Sequence, residues 1–187
     1  MMNWNKQWSK MLVQKNITPT RLNVYRFFSQ IPIPSDAKIL DIGCGSGSLT
    51  KWWHDRGYDV LAVDNNETAL DITSRKGIST KREDVEKLSF PSNVFDPVYS
   101  DGLLEHFEDC HQALSEIFRV SRNMVLTIVP TNGMYNRLVQ IFTKPPKEYK
   151  KTEKEWVSLH WLHCSGLHTS HIRFGLLAII CWKDRKR

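Results

Sequence analysis

The chain is poor in the features that would mark a secreted, membrane or repeat protein. It has four cysteines in 187 residues (Cys44, Cys110, Cys164, Cys181), widely spaced and without a CxxC pair. That pattern is not a disulfide framework and reads as reduced thiols in a cytoplasmic protein. No apolar run is long: Leu176–Trp182 is the longest, far short of the roughly 20 residues a spanning helix needs. The N-terminus lacks the apolar core of a signal peptide, and repeats and low-complexity tracts are missing. Basic residues exceed acidic ones, for a net charge of +6, but outside the Lys144–Lys154 stretch and the Lys183–Arg187 tail they are scattered. Scattered charge reads as a solvated surface rather than a polyanion-binding stripe.

What is present is a one-domain length with 41% hydrophobic and 25% charged residues, enough for a sizeable core. Residues 1–37 read as a helical cap. Trp4, Trp8 and Met11 share one helical face, and Thr18-Pro19 reads as an N-cap with proline at the first helical position. From Lys38 strand and helix alternate. Strands are expected at Lys38–Ile42, Asp59–Asp64, Ile78–Glu83, Phe95–Ser100 and Met124–Val129. Helices are expected at Ser46–Arg56, from Asn66 (its cap) to Gly77, and at Leu103–Val120. Repeated β-α-β units predict a mostly parallel sheet with helices on both faces. The tail predicts two further strands, His168–Phe174 and Leu176–Trp182, joined through Gly175 as an antiparallel pair at the sheet edge. The fold class is therefore α/β, doubly wound and Rossmann-like, with seven strands. Within this single domain residues 38–130 form a ligand-binding core and 159–187 a C-terminal helix and strand pair. Residues 131–158, with Pro145-Pro146, five lysines, Tyr135, Phe142, Tyr149 and Trp156, fit the scheme poorly. So long a connection predicts a lid-like insertion; with the cap it should roof a site, with Tyr135, Tyr149 and Trp156 as wall residues.

The chemistry sits in Ile39-Leu40-Asp41-Ile42-Gly43-Cys44-Gly45-Ser46-Gly47, a strand, a glycine turn and a helix start. Glycines there let a ligand approach the backbone, and the helix start offers unpaired N–H groups. Asp64 ends the second strand, where a carboxylate accepts both ribose hydroxyls of an adenosine. Asp84 follows the third strand, in position for the adenine amino group. All lie at the carboxyl ends of parallel strands, beside the topological switch point. A dinucleotide fingerprint would need glycine at its sixth position, and Ser48 stands there.

An acidic residue ahead of GxGxG resembles motif I of the class I S-adenosylmethionine (SAM)-dependent methyltransferases. The resemblance continues through Val63-Asp64-Asn65, Asp84-Val85, and Phe95-Asp96 to Ser100-Asp101-Gly102-Leu103-Leu104-Glu105-His106-Phe107. That last segment is similar to the type 11 branch. The match spans roughly residues 37–131. It implies that SAM is bound, with S-adenosylhomocysteine (SAH) as product. Gly43, Cys44 and Gly45 would line the methionine and ribose, Asp64 hold the ribose, Asn65 flank the adenine, Asp84 and Val85 bind its edge, and Ser100 face the methionine amine. Asp41 is either part of this site or a turn-stabilising carboxylate. Pro97 stands where an aliphatic residue is usual and belongs at the very start of its strand. Relatives that bind a divalent metal use Glu-x-x-Glu-His; Gly102 replaces the first glutamate, which predicts no metal.

Methyl transfer from a sulfonium needs alignment and exclusion of water more than proton chemistry. The candidate base is His106, placed at the opening of the helix after the fourth strand, where the helix dipole would favour its neutral form; the alternative is a packing histidine. Glu105 is a weaker candidate. His160, His163, Cys164, His168 and His171 do not make a zinc pattern, because His168 and His171 point to opposite sides of a strand. The expected function is methyl transfer to a small-molecule acceptor. Methylation of nucleic acid or protein, and non-catalytic SAM binding, are the alternatives.

Overall fold

The computed structural model of the chain describes residues 19–131, 151–172 and 176–183. Trp4, Trp8, Met11, Tyr135, Phe142, Tyr149 and Gly175 lie outside them.

Helix α1, Pro19–Phe28, is followed by β1 (Lys38–Ile42), α2 (Ser48–His54), β2 (Asp59–Asp64), α3 (Glu67–Ser74), β3 (Ser79–Arg82) and β4 (Val98–Asp101). A 3-10 turn, Leu104–His106, leads to α4 (His111–Val120), β5 (Met124–Pro130), α5 (Glu153–Trp161), β6 (Gly166–Ile172) and β7 (Leu176–Trp182). The seven strands form one sheet in the order β3-β2-β1-β4-β5-β7-β6. The first five in that order run parallel, and β7 lies antiparallel between β5 and β6. The order reverses between β1 and β4, which is the switch point.

Side-chain alternation sorts the sheet into two apolar faces. Leu40, Ile42, Val63 and Val98 pack with Leu114 and Ile117 of α4 and Trp156 of α5. Ile39, Val60, Tyr99 and Leu126 pack with Phe28 of α1 and Leu49 and Trp53 of α2. Ala62 meets Leu70 of α3. Helices thus cover both faces, as the repeated β-α-β pattern predicts.

Three expectations need correction. The fourth strand begins at Val98, not Phe95: Pro97 has no N–H for a ladder, and Phe95 makes only an isolated bridge to Ser121. The helix expected over Leu103–Val120 is broken. Phe107 is extended, with φ −103° and ψ 132°. The helix restarts at His111, whose N–H donates to the Asp109 carboxylate at 2.9 Å. His106 therefore closes a single 3-10 turn and does not open a long helix, so the dipole argument for its ionisation does not apply. Finally, Trp156 is not a wall residue of a roof. It is fully buried, and its Nε1 donates to the Pro130 carbonyl at 3.0 Å. The last residues of the 131–158 segment open α5 with a capping box: Thr152 Oγ1 accepts from Glu155 N, and the Glu155 carboxylate accepts from Thr152 N at 2.6 Å.

Candidate active site

The glycine turn leaves β1 with Gly43 at φ +72° and reaches α2 with Gly47 at φ +64°, a backbone region that side chains disfavour. Space forbids side chains too. A Cβ on Gly43 would stand 2.9 Å from Leu103 Cδ1, and one on Gly47 would stand 2.6 Å from Thr73 Cγ2. The turn is lashed to β2. The Gly43 and Cys44 N–H groups both donate to the Val63 carbonyl, at 2.9 and 3.1 Å, and Gly45 N donates to Asp64 Oδ2 at 3.0 Å.

Asp64 is half-buried at the end of β2, with Oδ1 accepting from Asn66 N at 2.9 Å. Burial raises its carboxyl above the ordinary value, and the backbone donors at Asn66 and Gly45 oppose that rise. Each carboxylate oxygen keeps acceptor capacity for further donors. Asp64 is not the cap of α3: the Asn66 side chain fills that place, accepting from Ala69 N at 3.1 Å.

Gly43, Asp64, Asn65 and Val85 line one open cleft at the carboxyl ends of the strands. Leu103, Phe107 and Glu83 also line it. None of these three was singled out from sequence as a ligand-binding residue. The signal for Phe107 was the aspartate two residues on that restarts the helix, which marks Leu103–Phe107 as a loop over the site rather than a helical face. Asp84 is exposed, its Oδ1 tied to Glu86 N at 3.0 Å, and the cleft wall is formed by the residue before it. Glu83 is buried, accepts from Ser89 N at 2.9 Å and pairs with Lys81 at 2.6 Å. Burial works to raise its carboxyl, but the Lys81 and Ser89 hydrogen bonds outweigh it and hold the group below the ordinary value.

Asp41, Cys44 and Ser100 stand behind the cleft, and His106 lies beside it. Asp41 is 3% exposed on the α1/α2 face, where it accepts from the Thr50 hydroxyl and from Tyr99 Oη at 2.6 Å. Burial lifts it to about 7 despite those two hydrogen bonds. Cys44 is buried with its Sγ 3.9 Å from Thr73 Oγ1, and burial with the nearby Asp41 keeps it a protonated thiol. Ser100 is 1% exposed on the α4 face, and its Oγ makes no hydrogen bond to a described residue. His106 is half-buried between the cleft-lining Leu103 and Phe107, with its backbone N–H donating to Leu103 O at 3.1 Å.

Among the described residues no group of three or more His, Cys, Asp or Glu side chains could hold a metal ion. His160 is engaged at both ring nitrogens. Nδ1 lies 2.7 Å from the Trp156 carbonyl, which only accepts, so Nδ1 carries the proton. Nε2 then accepts from the Thr127 hydroxyl at 2.8 Å. His163 lies beyond the end of α5, so the two histidines do not share a helical face.

Residues 40–128, which carry this turn and cleft, match the model of a methyltransferase-domain family, the type 11 branch. Over that stretch the chain is similar to a methyltransferase domain. The domain is similar to malonyl-[acyl-carrier protein] O-methyltransferase of Enterobacter lignolyticus, 28% identical over 96 residues that make up 50% of this chain and 38% of that protein. The chain thus spans well under half the length of the curated relatives it matches. Its fold matches that of a Haloferax volcanii methyltransferase solved in complex with the Trm112 methyltransferase activator, with TM-score 0.82, 14% identity and 99% of both chains covered. It also matches magnesium protoporphyrin IX methyltransferase of Synechocystis PCC 6803, solved with SAH bound, with TM-score 0.74, 13% identity, and 96% of this chain and 94% of that one covered. That neighbour carries SAH, the product form of SAM. The site fits it: a turn that tolerates no Cβ, a carboxylate with acceptor capacity, and apolar walls at Val85, Leu103 and Phe107. Among the described residues no helix is long and apolar enough to cross a membrane.

Proposed function

We propose that the protein transfers the methyl group of SAM to a small-molecule acceptor by in-line displacement, in the reducing environment that its free thiols suit. The observation that carries this reading is Asp64. Its carboxylate is aimed by two backbone N–H groups, from Gly45 and Asn66, into a cleft with apolar walls. Such a carboxylate suits a pair of ribose hydroxyls, and the walls suit a flat apolar ring. SAM supplies an electrophilic methyl on a sulfonium leaving group. The chain's own residues bind and orient: Gly43 admits close approach, Asp64 fixes the ribose end, Val85, Leu103 and Phe107 exclude water, and Asn65 flanks the ring. Asp84 keeps one carboxylate oxygen for the ring's edge. His106, between Leu103 and Phe107, is the base where the acceptor carries a proton to be removed.

The test has two arms. SAH should raise the melting temperature by several degrees, and NAD should leave it unchanged, since a ligand at ~100 times its dissociation constant adds about 2.7 kcal/mol. A shift with NAD alone would refute the cofactor. Radiolabel transfer from SAM to a panel of small acceptors, to RNA and to an acyl-carrier protein then separates acceptor classes; the net charge of +6 is what favours the RNA arm as the second reading. SAH binding without transfer to any acceptor would indicate a SAM-binding regulator. In the active enzyme His106→Gln should lower kcat on the order of a hundredfold with the KM for SAM unchanged.

A further inference from the structure

The glycine turn is held from β2 on one side, and from a second element on the other. Thr73, in the last turn of α3, is fully buried, and its Oγ1 donates to the Gly45 carbonyl at 3.1 Å. The same side chain fills the space over Gly47 and meets Cys44 Sγ. Lys76, two residues past the end of α3, reaches back and donates from Nζ to the next carbonyl, Ser46 O, at 2.5 Å. Two successive peptide planes of the turn are therefore fixed by the end of one helix. The Gly45 residue is gripped at both ends: its N–H by Asp64 and its C=O by Thr73.

We infer that Thr73 and Lys76 form a clamp that sets the orientation of the Gly45–Ser46 backbone for cofactor binding, and so act as positioning residues for methyl transfer without touching the reacting atoms. A trans peptide is planar, so drawing the Gly45 carbonyl toward α3 turns the Ser46 N–H directly away from it. Releasing that carbonyl lets the plane rotate. It also loosens the Gly45 N–H that aims Asp64. Thr73 is at once the hydrogen-bond donor and the body that makes glycine obligatory at 47, which couples the turn's shape to α3 and not to β1 alone. The Asp64 end of the grip belongs to the cofactor reading, and the clamp rests on that reading; its α3 end is independent of any ligand contact.

The experiment compares Thr73→Val, Thr73→Ser and Lys76→Met with the unmodified protein, by calorimetric titration with SAH and by steady-state kinetics in SAM on whichever acceptor turns over. Valine keeps the volume and loses the donor; serine keeps the donor. Thr73→Val should weaken SAH binding about tenfold and raise the KM for SAM with kcat nearly unchanged, the loss of one well-made hydrogen bond. Thr73→Ser should stay within about twofold of the unmodified protein, and Lys76→Met, at a half-buried position, should lose about threefold. If valine does not fold, serine and the Lys76 variant carry the test. Equal affinity in Thr73→Val or Lys76→Met, or equal losses for valine and serine, would overturn the clamp. An unmodified protein that binds no SAH would instead sink the cofactor reading, and the clamp's purpose with it.

Discussion

Each face of the sheet buries a titratable group in a hydrogen-bonded network, Asp41 on one and His160 on the other, and the two are shifted in opposite directions. On the α1/α2 face Asp41 is held by Thr50 and Tyr99, and desolvation lifts it to about 7. On the α4/α5 face His160 is held by Trp156 and Thr127, and desolvation lowers it to about 4 despite the hydrogen bond to the Trp156 carbonyl. Asp41 stands in β1, two residues before Gly43 of the glycine turn, and packs toward the helix that follows it. His160 ties α5 to β5, away from the cleft. Both networks are satisfied and neither opens to ligand. The difference lies in what each supports: one braces the cofactor end of the parallel strands, the other closes the antiparallel extension. Polar residues at the carboxyl ends of strands are thus not all site residues. Asp64, which faces the cleft, is held by backbone N–H groups, whereas Asp41, behind it, is held by side-chain hydroxyls.

The largest expected effect probes the α4/α5 face. Trp156→Ala should cost about 3–5 kcal/mol of stability, the cavity left by a large aromatic, and should strand the Pro130 carbonyl it caps. The SAH affinity of the folded fraction should not change. Urea unfolding followed by titration separates the two. A stable variant with weakened binding would return Trp156 to the acceptor site and break the comparison.

Next come the pH slopes, which have opposite signs. Asp41 is raised from 3.8 to about 7, so the folded state binds its proton more tightly, and its contribution to stability falls as pH rises through that window. His160 is lowered from 6.5 to about 4, so the unfolded state binds more protons, and its contribution is full above 6.5 and lost as pH falls toward 4. Each spans about 3–4 kcal/mol if the shift is realised in full. Relative to the unmodified protein, Asp41→Asn should gain stability as pH rises from 4 to 7, and His160→Gln should gain it as pH falls over the same range. Urea midpoints across pH 4–8 read both. Parallel profiles would mean that the two networks are not opposed.

These pairs also show what the sequence conceals. The bounds of β1 and β2 were legible because each is a buried run stopped by a turn signal. Gly43 and Asp64 were legible because a strand end followed by glycine, or by a helix cap, has few other uses. The break after Phe107 was not, since Leu103, Leu104 and Phe107 keep helical spacing and only Asp109 contradicts it. Asp41 was read by its nearness to the turn and Ser100 by resemblance at the end of its strand, yet strand parity sends one to each covered face. Glu83 and the Leu103–Phe107 segment come from separate loops, and only the sheet order brings them to one cleft.

A smaller effect belongs to the cleft itself. Asp64→Ala should weaken SAH binding by roughly 2–3 kcal/mol, the loss of charge-assisted hydrogen bonds, with stability changed far less than in Trp156→Ala. Calorimetry on the folded variant decides it, and unchanged affinity would remove Asp64 from the site.

The smallest effect tests where the scaffold begins. Thr152 caps α5 and Glu155 returns the bond, so the chain is helical from this point and Trp156 is carried into the core by a fixed first turn. Thr152→Ala removes the acceptor for Glu155 N and should cost about 1 kcal/mol. Because Trp156 and His160 pin the far side of the helix, the loss should stay local: fraying of the first turn rather than release of α5. Hydrogen exchange resolves this. In the unmodified protein the amides of Trp156 to His160 should be protected without any ligand and gain little when SAH binds. In Thr152→Ala only those near residue 155 should speed up, with SAH affinity intact. Rapid exchange through all of α5 in the free protein, slowed by ligand, would make the helix part of a moving roof and erase the distinction between a face that binds and a face that only holds.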